Sequence, residues 1–307
     1  MILAAGLGSR LGTLSDERPK PMLPVADVPL VRWALDLLRG AEIRDVVVNL
    51  HHRAEIIERE LGDEVRYSRE AEILGTGGGI RRALPFLDDG GPFVVANGKI
   101  VADIDVAAVL RAHRAAGAMA TLVVRRDPDA ARWGAIDAPA EGGRIRGMLG
   151  AGNFMFTGVQ VLEPSLIARF PDDGQARCIV RQGYLPWIAE GVPIHAYVHD
   201  GYFMEHSTPE RYLAGNINVL RGAMGPGHSG IDASARVSPS ARIIPPVLIG
   251  AGAEIDARAE IGPDTVVGRG ARVDAGIRVM RAVVWPDTRV AEDALDAIVT
   301  PRQRITV

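Results

Sequence analysis

Cysteine is nearly absent from this 307-residue sequence. Cys178 stands alone, which excludes an intrachain disulfide framework and any zinc site built on cysteines. A cytoplasmic location follows as the default. Long apolar runs are also missing: no stretch of about 18 apolar residues occurs, so no membrane-spanning helix is expected. The apolar start at residues 1–5 is broken by Gly6, Gly8, Arg10 and Gly12, too soon for a signal peptide. Nor is there an excess of positive charge. Lys and Arg number 35 against 38 Asp and Glu, a net charge of −3. Phosphate-backbone binders are usually basic, so nucleic acid is not an expected partner. The rest is ordinary globular composition, 47% hydrophobic and 24% charged, in a length that suits two domains.

Strand and helix signals alternate through most of the chain. Residues 2–5 read as a short buried strand running into Gly6-Leu7-Gly8-Ser9-Arg10-Leu11-Gly12. Pro19-Lys20-Pro21 predicts an extended stretch, because each proline restricts itself and its predecessor. Apolar residues on one face predict a helix over 30–38, followed by a strand over 46–50, a helix over 55–61 and a strand over 65–68. Gly75-Thr76-Gly77-Gly78-Gly79 reads as a second glycine loop, with a helix after it over 80–86. A strand over 93–96 ends at Asn97-Gly98-Lys99. A helix over 106–116 and strands over 120–125 and 159–162 follow, and Thr208-Pro209 marks the start of a capped helix. This is the spacing of βαβ units: a Rossmann-like α/β domain over residues 1–225, with a mostly parallel sheet covered on both faces.

Past the linker Pro226-Gly227-His228-Ser229-Gly230 the period changes. Ile231, Val237, Ile243, Ile249, Ile255, Ile261, Val267, Val273 and Val279 are spaced by six. A period of six is neither helix nor simple alternation. It is the hexapeptide repeat of a β-helix, in which each face contributes one inward aliphatic residue. Residues 226–307 are therefore expected to form a short β-helix of about three coils, slipping in register near Trp285, with a capped end. So short a stack leaves an open core for another subunit to cover, which predicts a homo-oligomer. Acyl transfer by this tail would need a general base, usually histidine, and residues 231–307 contain none.

Glycines after a strand let backbone N–H groups point at an anion. The first cluster is neither the dinucleotide fingerprint nor a P-loop. The wider segment is more specific. Residues 3–11, Arg18-Pro19-Lys20-Pro21-Met22-Leu23-Pro24-Val25 and Pro29-Leu30 together closely resemble the opening signature of the sugar-nucleotidyltransferases. Leu74-Gly75-Thr76-Gly77-Gly78 is similar to that family's second glycine loop, residues 154–164 to its sugar-receiving strand and turn, and residues 207–216 to its closing motif. The tail looks like the left-handed β-helix found on several members.

The resemblance implies a reaction in which a sugar 1-phosphate oxygen attacks the α-phosphorus of an NTP and diphosphate leaves. Arg10 would grip the β- and γ-phosphates and Lys20 the α-phosphate. Leu3, Ala5, Gly6, Gly8, Gly75, Thr76, Gly77 and Gly78 would hold the nucleotide, and Asn97, Gly134, Thr157 and Gly158 the sugar end. It also implies magnesium held between carboxylates.

The sequence departs from the family at that last point. Asn97-Gly98-Lys99 stands where the family has a turn ending in aspartate, so an ammonium replaces a metal-ligand carboxylate. The second ligand position is Glu205, within Phe203-Met204-Glu205-His206-Ser207-Thr208-Pro209, where members carry aspartate. The family's lysine for the sugar phosphate is not visible near Gly147, which leaves Arg144 or Arg146 to serve. Two readings stay open. In one, Lys99 neutralises the phosphates, or Asp103 or Asp105 supplies a carboxylate, and the chain is an enzyme. In the other it keeps only the binding of a nucleotide or NDP-sugar. Asp103 and Asp105 also read as helix caps, His206 as facing either way, and Cys178 as buried and inert.

Overall fold

The computed structural model describes residues 1–307. The chain divides into two compact units. The first holds Met1–Leu7, Pro19–Pro21 and Val31–Phe203, and the second Gly8–Arg18, Met22–Leu30 and Met204–Val307. No helix is long and apolar enough to cross a membrane.

The first unit is built on one mixed sheet. Its main path uses β1 (Ile2–Leu3), β2 (Val47–Leu50), β3 (Arg66–Arg69), β4 (Phe93–Asn97), β5 (Ala120–Arg126), β6 (Gly143–Arg144), β7 (Phe154–Leu162) and β8 (Ile194–Val198). They lie in the order β6-β8-β5-β7-β4-β1-β2-β3. β1 pairs in parallel with β2 and β4, β2 with β3, and β8 with β5. β7 enters antiparallel between β4 and β5. Helices α1 (Leu30–Arg39), α2 (Ala54–Leu61), α3 (Gly75–Ala83) and α4 (Val106–Ala116) alternate with the strands. All four residues of β2 are buried, as expected of a strand covered on both faces. The chain leaves β1 for β2 and β3 on one side, then returns to β4 on the other. In open α/β sheets that reversal marks the ligand crevice, outside the carboxyl ends of the strands.

Two local expectations change. Lys20–Met22 forms a 3-10 turn rather than an extended stretch, because the fixed φ of Pro21 suits a 3-10 turn as well as an extended chain. The second glycine cluster is not a loop before a helix. It is the first turn and a half of α3, which runs over Gly75–Ala83, with a 3-10 turn at Leu84–Phe86.

The second unit contains α5 (Pro209–Leu220), whose N-cap Thr208 accepts a hydrogen bond from the Arg211 N–H. The coils follow. Ile231 stands in register with Ile249 and Val267, Val237 with Ile255 and Val273, and Ile243 with Ile261 and Val279. Six of the nine repeat aliphatics are buried; those of the first coil are not, and Ile231 is 49% exposed at the open end. The slip occurs where expected. Val267 pairs with Val284, Val273 with Val290 and Val279 with Ala294, so the next coil is shortened and a fourth, irregular coil follows the three regular ones. The shortening arises because Arg278–Val284 runs as one strand past a corner, with Arg281 at a φ of 48°. The tail closes with an antiparallel hairpin of Ala294–Val299 and Arg304–Thr306.

In the same unit α5 holds the short hairpin of Pro24–Val25 and Val28–Pro29. The Asn216 side-chain oxygen accepts from the Ala26 N–H at 2.9 Å, and the Tyr212 hydroxyl donates to the Pro24 carbonyl. Trp285 is fully buried and donates to the Tyr212 hydroxyl at 3.1 Å. Arg221 makes a two-point ion pair with Asp264, at 2.8 and 2.6 Å.

His113 of α4 is buried in the first unit, with Nδ1 2.9 Å from the Thr121 hydroxyl and Nε2 3.2 Å from a Glu163 carboxylate oxygen. Burial lowers its pKa despite the carboxylate. The unfolded chain then binds a proton more readily than the folded one, so stability is lost as pH falls below the ordinary histidine range near about 6.5. The thermal midpoint should fall between pH 7 and 5, and His113→Gln should flatten that fall. An equal slope in parent and variant would count against His113 as the source.

Candidate active site

The strand register brings two predicted segments together at the carboxyl end of the sheet. Leu3 is paired with Asn97, and the Gly98 N–H donates to the Leu3 carbonyl at 2.9 Å. Lys99, half-buried, therefore emerges beside the start of the first glycine loop, at the reversal between β1 and β4. Gly158 faces Asn97. A Cβ there would fall 2.0 Å from Asn97 Nδ2, and its φ is 84°, so only glycine fits. It sits in a bulge of β7 between Phe156 and Gln160, a device common beside active sites. Thr157 holds the bulge: it is buried, its hydroxyl donates to the Val123 carbonyl at 2.8 Å and accepts from the Val159 N–H. Gly134 ends a short helix beside the exposed Trp133, with Leu149 packed against its α-carbon.

Two side chains that the sequence reading did not single out organise this end of the sheet. Asn49 accepts from the Ala4 N–H at 2.7 Å and donates to Glu70 Oε1 at 2.7 Å. Glu70 Oε2 accepts from the N–H of Leu74, the N-cap of α3, at 2.9 Å. Asn49 and Glu70 are both buried. A line of hydrogen bonds thus runs from the first glycine segment to the second. A polar residue inside the otherwise apolar Val47-Val48-Asn49-Leu50 is the sequence signal for it. The glycines of α3 make room: a Cβ on Gly79 would lie 2.6 Å from Glu70 Oε1 and 2.9 Å from Asn49 Nδ2. The N–H groups of Gly77 and Gly78 donate to the Arg177 carbonyl, and the Thr76 hydroxyl accepts from the Ile179 N–H.

Lys20 is buried and Lys99 half-buried, and both belong to the first unit. They are the only lysines in the chain; the other 33 of its 35 basic side chains are arginine. A lysine is a compact charge on a flexible stem, whereas arginine is a rigid planar fork. A compact ammonium at each of these two positions can contact a single phosphoryl oxygen.

Arg10 and Glu205 belong to the second unit and pair there, Nη2 to Oε1 at 3.5 Å. Arg10 is 58% exposed, and an exposed pair of that kind is weak enough to yield to a phosphate. No group of three or more His, Cys, Asp or Glu side chains able to hold a metal ion is formed. Glu205 is turned to Arg10 and belongs to no such group, so the residues present do not fit a protein-held magnesium. The other candidates are occupied. Asp105 caps α4 by accepting from the Ala108 N–H, and Asp103 pairs with His199 at 3.1 Å. Arg144 lies on the edge strand β6 and donates to the Gly191 carbonyl, while Arg146 pairs with Asp137. His206 is buried against Gly215 and the Tyr212 ring, and Cys178 is half-buried rather than buried.

The Nucleotidyl transferase family profile matches residues 1–149. The chain is 31% identical over 271 residues to the mannose-1-phosphate guanylyltransferase of Mycobacterium tuberculosis, covering 82% of this chain and 75% of that one. The chain belongs to the sugar-nucleotidyltransferase family. It is also 26% identical over 227 residues to the catalytic subunit beta of mannose-1-phosphate guanylyltransferase from Dictyostelium discoideum, spanning 70% of this chain and 62% of that relative. The fold matches the crystal structure of HddC from Yersinia pseudotuberculosis with a TM-score of 0.61 and 24% identity, over 71% of this chain and 97% of that one. The activity of the chain is that of a sugar-1-phosphate nucleotidyltransferase, and the binding-only alternative is not the reading these likenesses support.

The Glu70 network makes a stability prediction. Glu70→Ala leaves the Asn49 amide and the Leu74 N–H buried without an acceptor, and each orphaned group costs about 1–3 kcal/mol. Gly79→Ala should act in the same direction by driving a methyl group into the same carboxylate. Both should lower the denaturant midpoint and raise the KM for the nucleotide. An unchanged midpoint in Glu70→Ala would refute the network.

Proposed function

We propose that the chain transfers a guanylyl group from GTP to mannose 1-phosphate or a closely related sugar 1-phosphate. The observation that carries this reading is its likeness, over most of its length, to proteins named mannose-1-phosphate guanylyltransferase. A phosphate oxygen of the sugar 1-phosphate attacks the α-phosphorus. The bond from that phosphorus to the bridging oxygen of the β-phosphate breaks, and diphosphate carries away the electron pair. No protein nucleophile is needed. The protein holds two anions in line and offsets charge on the transferring group.

In this reading Lys20 meets the α-phosphate, and Lys99 takes over the charge-neutralising duty of the missing carboxylate-bound cation. Arg10, released from Glu205, meets the β- and γ-phosphates. Leu3, Ala5, Gly6 and Gly8 line the triphosphate, and Gly75 and Thr76 face the base. Gly77 and Gly78 pack the start of α3 close to it. Asn97, Gly158 and Gly134 receive the sugar, with Thr157 fixing the bulge. Magnesium enters as the counter-ion of the nucleotide. A homo-oligomer through the open first coil and a cytoplasmic setting complete the proposal, supported by the exposure of Ile231 and by the single cysteine.

The test is diphosphate release from each NTP with magnesium and a panel of sugar 1-phosphates. GTP with mannose 1-phosphate should give the highest kcat/KM. Preference for another base, or no diphosphate from any pair, would overturn the assignment. Lys20→Ala and Lys99→Ala should each lower kcat by about 100- to 1,000-fold, the cost of removing one preorganised charge-stabilising group. Lys99→Arg should not restore it fully, since the fork differs from a point charge. Lys99→Ala at parental kcat would remove Lys99 from the chemistry.

A further inference from the structure

The segment that carries Arg10 has little structure of its own. Ser9–Leu11 is a 3-10 turn and Leu14–Glu17 a single helical turn. Helices this short are not stable alone, so their position is set by what holds them. The chain groups this segment with the C-terminal tail in one compact unit, and the contacts are specific. The hairpin that closes the coils turns at residues 300–303. There the Thr300 N–H donates to the Gln303 carbonyl at 2.9 Å, and the Gln303 N–H to the Thr300 hydroxyl oxygen at 3.1 Å. The turn presents two donors to one acceptor. The Thr300 hydroxyl and the Gln303 amide reach Glu17 Oε1 at 2.6 and 2.7 Å. Gln303 also accepts from the Thr13 hydroxyl. One residue on, the Arg18 guanidinium lies 5.3 Å from the centre of the Trp285 ring, itself in the coils. At the other end the Ser15 hydroxyl donates to the Gly8 carbonyl at 2.8 Å, tying the helical turn back to the residue before the 3-10 turn.

We infer that the terminal hairpin of the coils is a clamp on the phosphate loop, with Glu17, Thr300 and Gln303 as positioning residues for Arg10. None of the three contacts substrate in this scheme. They hold the loop in the shape from which Arg10 meets the β- and γ-phosphates. The inference rests on the nucleotidyltransferase reading for its kinetic consequence, but its structural content stands apart from that reading.

The experiment uses the full chain and three variants. Glu17→Ala removes the shared acceptor, Gln303→Ala removes one donor and the Thr13 contact, and Glu17→Gln keeps an acceptor oxygen in place. The first measurement is amide hydrogen exchange over residues 8–18 without substrate. Glu17→Ala and Gln303→Ala should lose protection there while the sheet of the first unit keeps it, and Glu17→Gln should stay close to the parent. The second is steady-state kinetics with GTP and mannose 1-phosphate. Losing a hydrogen bond to a charged group should raise the KM for GTP by about tenfold in the two alanine variants, with the KM for the sugar phosphate unchanged. Parental protection of residues 8–18 in both alanine variants would overturn the clamp. Equal rises in both KM values would also do so, since a general loss of structure gives that pattern. If the parent turns over no GTP, the substrate assignment fails while the exchange result still decides the clamp.

Discussion

The carboxylate of Glu70 is the point on which the carboxyl end of the first unit's sheet depends. It lies buried beneath the N-terminus of α3 and receives both the Asn49 amide and the Leu74 N–H. Through Asn49 it also fixes the Ala4 N–H, where β1 gives way to the first glycine segment. A buried carboxylate is tolerated when its oxygens are satisfied, and here one accepts from Asn49 and the other from Leu74. Gly79 of α3 follows from the same constraint. At Gly79 a side chain and the carboxylate cannot both be present.

That dependence explains what was legible in the sequence and what was not. The alternation of strands and helices, the Thr208 cap and the six-residue spacing of the coils rest on local periodicity, and they appear where that period predicts them. The slip near Trp285 was visible as a break in spacing, although the corner that causes it was not. The glycines at 75–79 read as loop because glycine is a poor helix former. What makes them helical is packing against Asn49, Glu70 and the Arg177 backbone, partners remote in sequence. Glu17 and Gln303 were illegible for the same reason, being 286 positions apart. Lys99 was legible as a departure, and the register of β1 with β4 gives it a place.

Stiffness is unevenly distributed among the three basic side chains Lys20, Lys99 and Arg10. Lys20 stands between two prolines in a 3-10 turn, and Lys99 follows a glycine locked by its hydrogen bond to Leu3. Arg10 rides on one turn of 3-10 helix and is more than half exposed. Under the proposed roles such a division suits a transferring phosphorus that is held closely and a leaving diphosphate that departs. Groups at the reacting centre gain from preorganisation, and groups on the leaving end gain from being able to let go.

The scarcity of lysine has a consequence for how the molecule meets amine chemistry in general. With 33 arginines and only two lysines, Lys20 buried and Lys99 half-buried, it offers side-chain amines almost nowhere on its surface. Acetylation, glycation, aldehyde fixation and amine-directed immobilisation, which on most proteins scatter over the surface, would here find almost no side chain to act on beyond the half-buried Lys99.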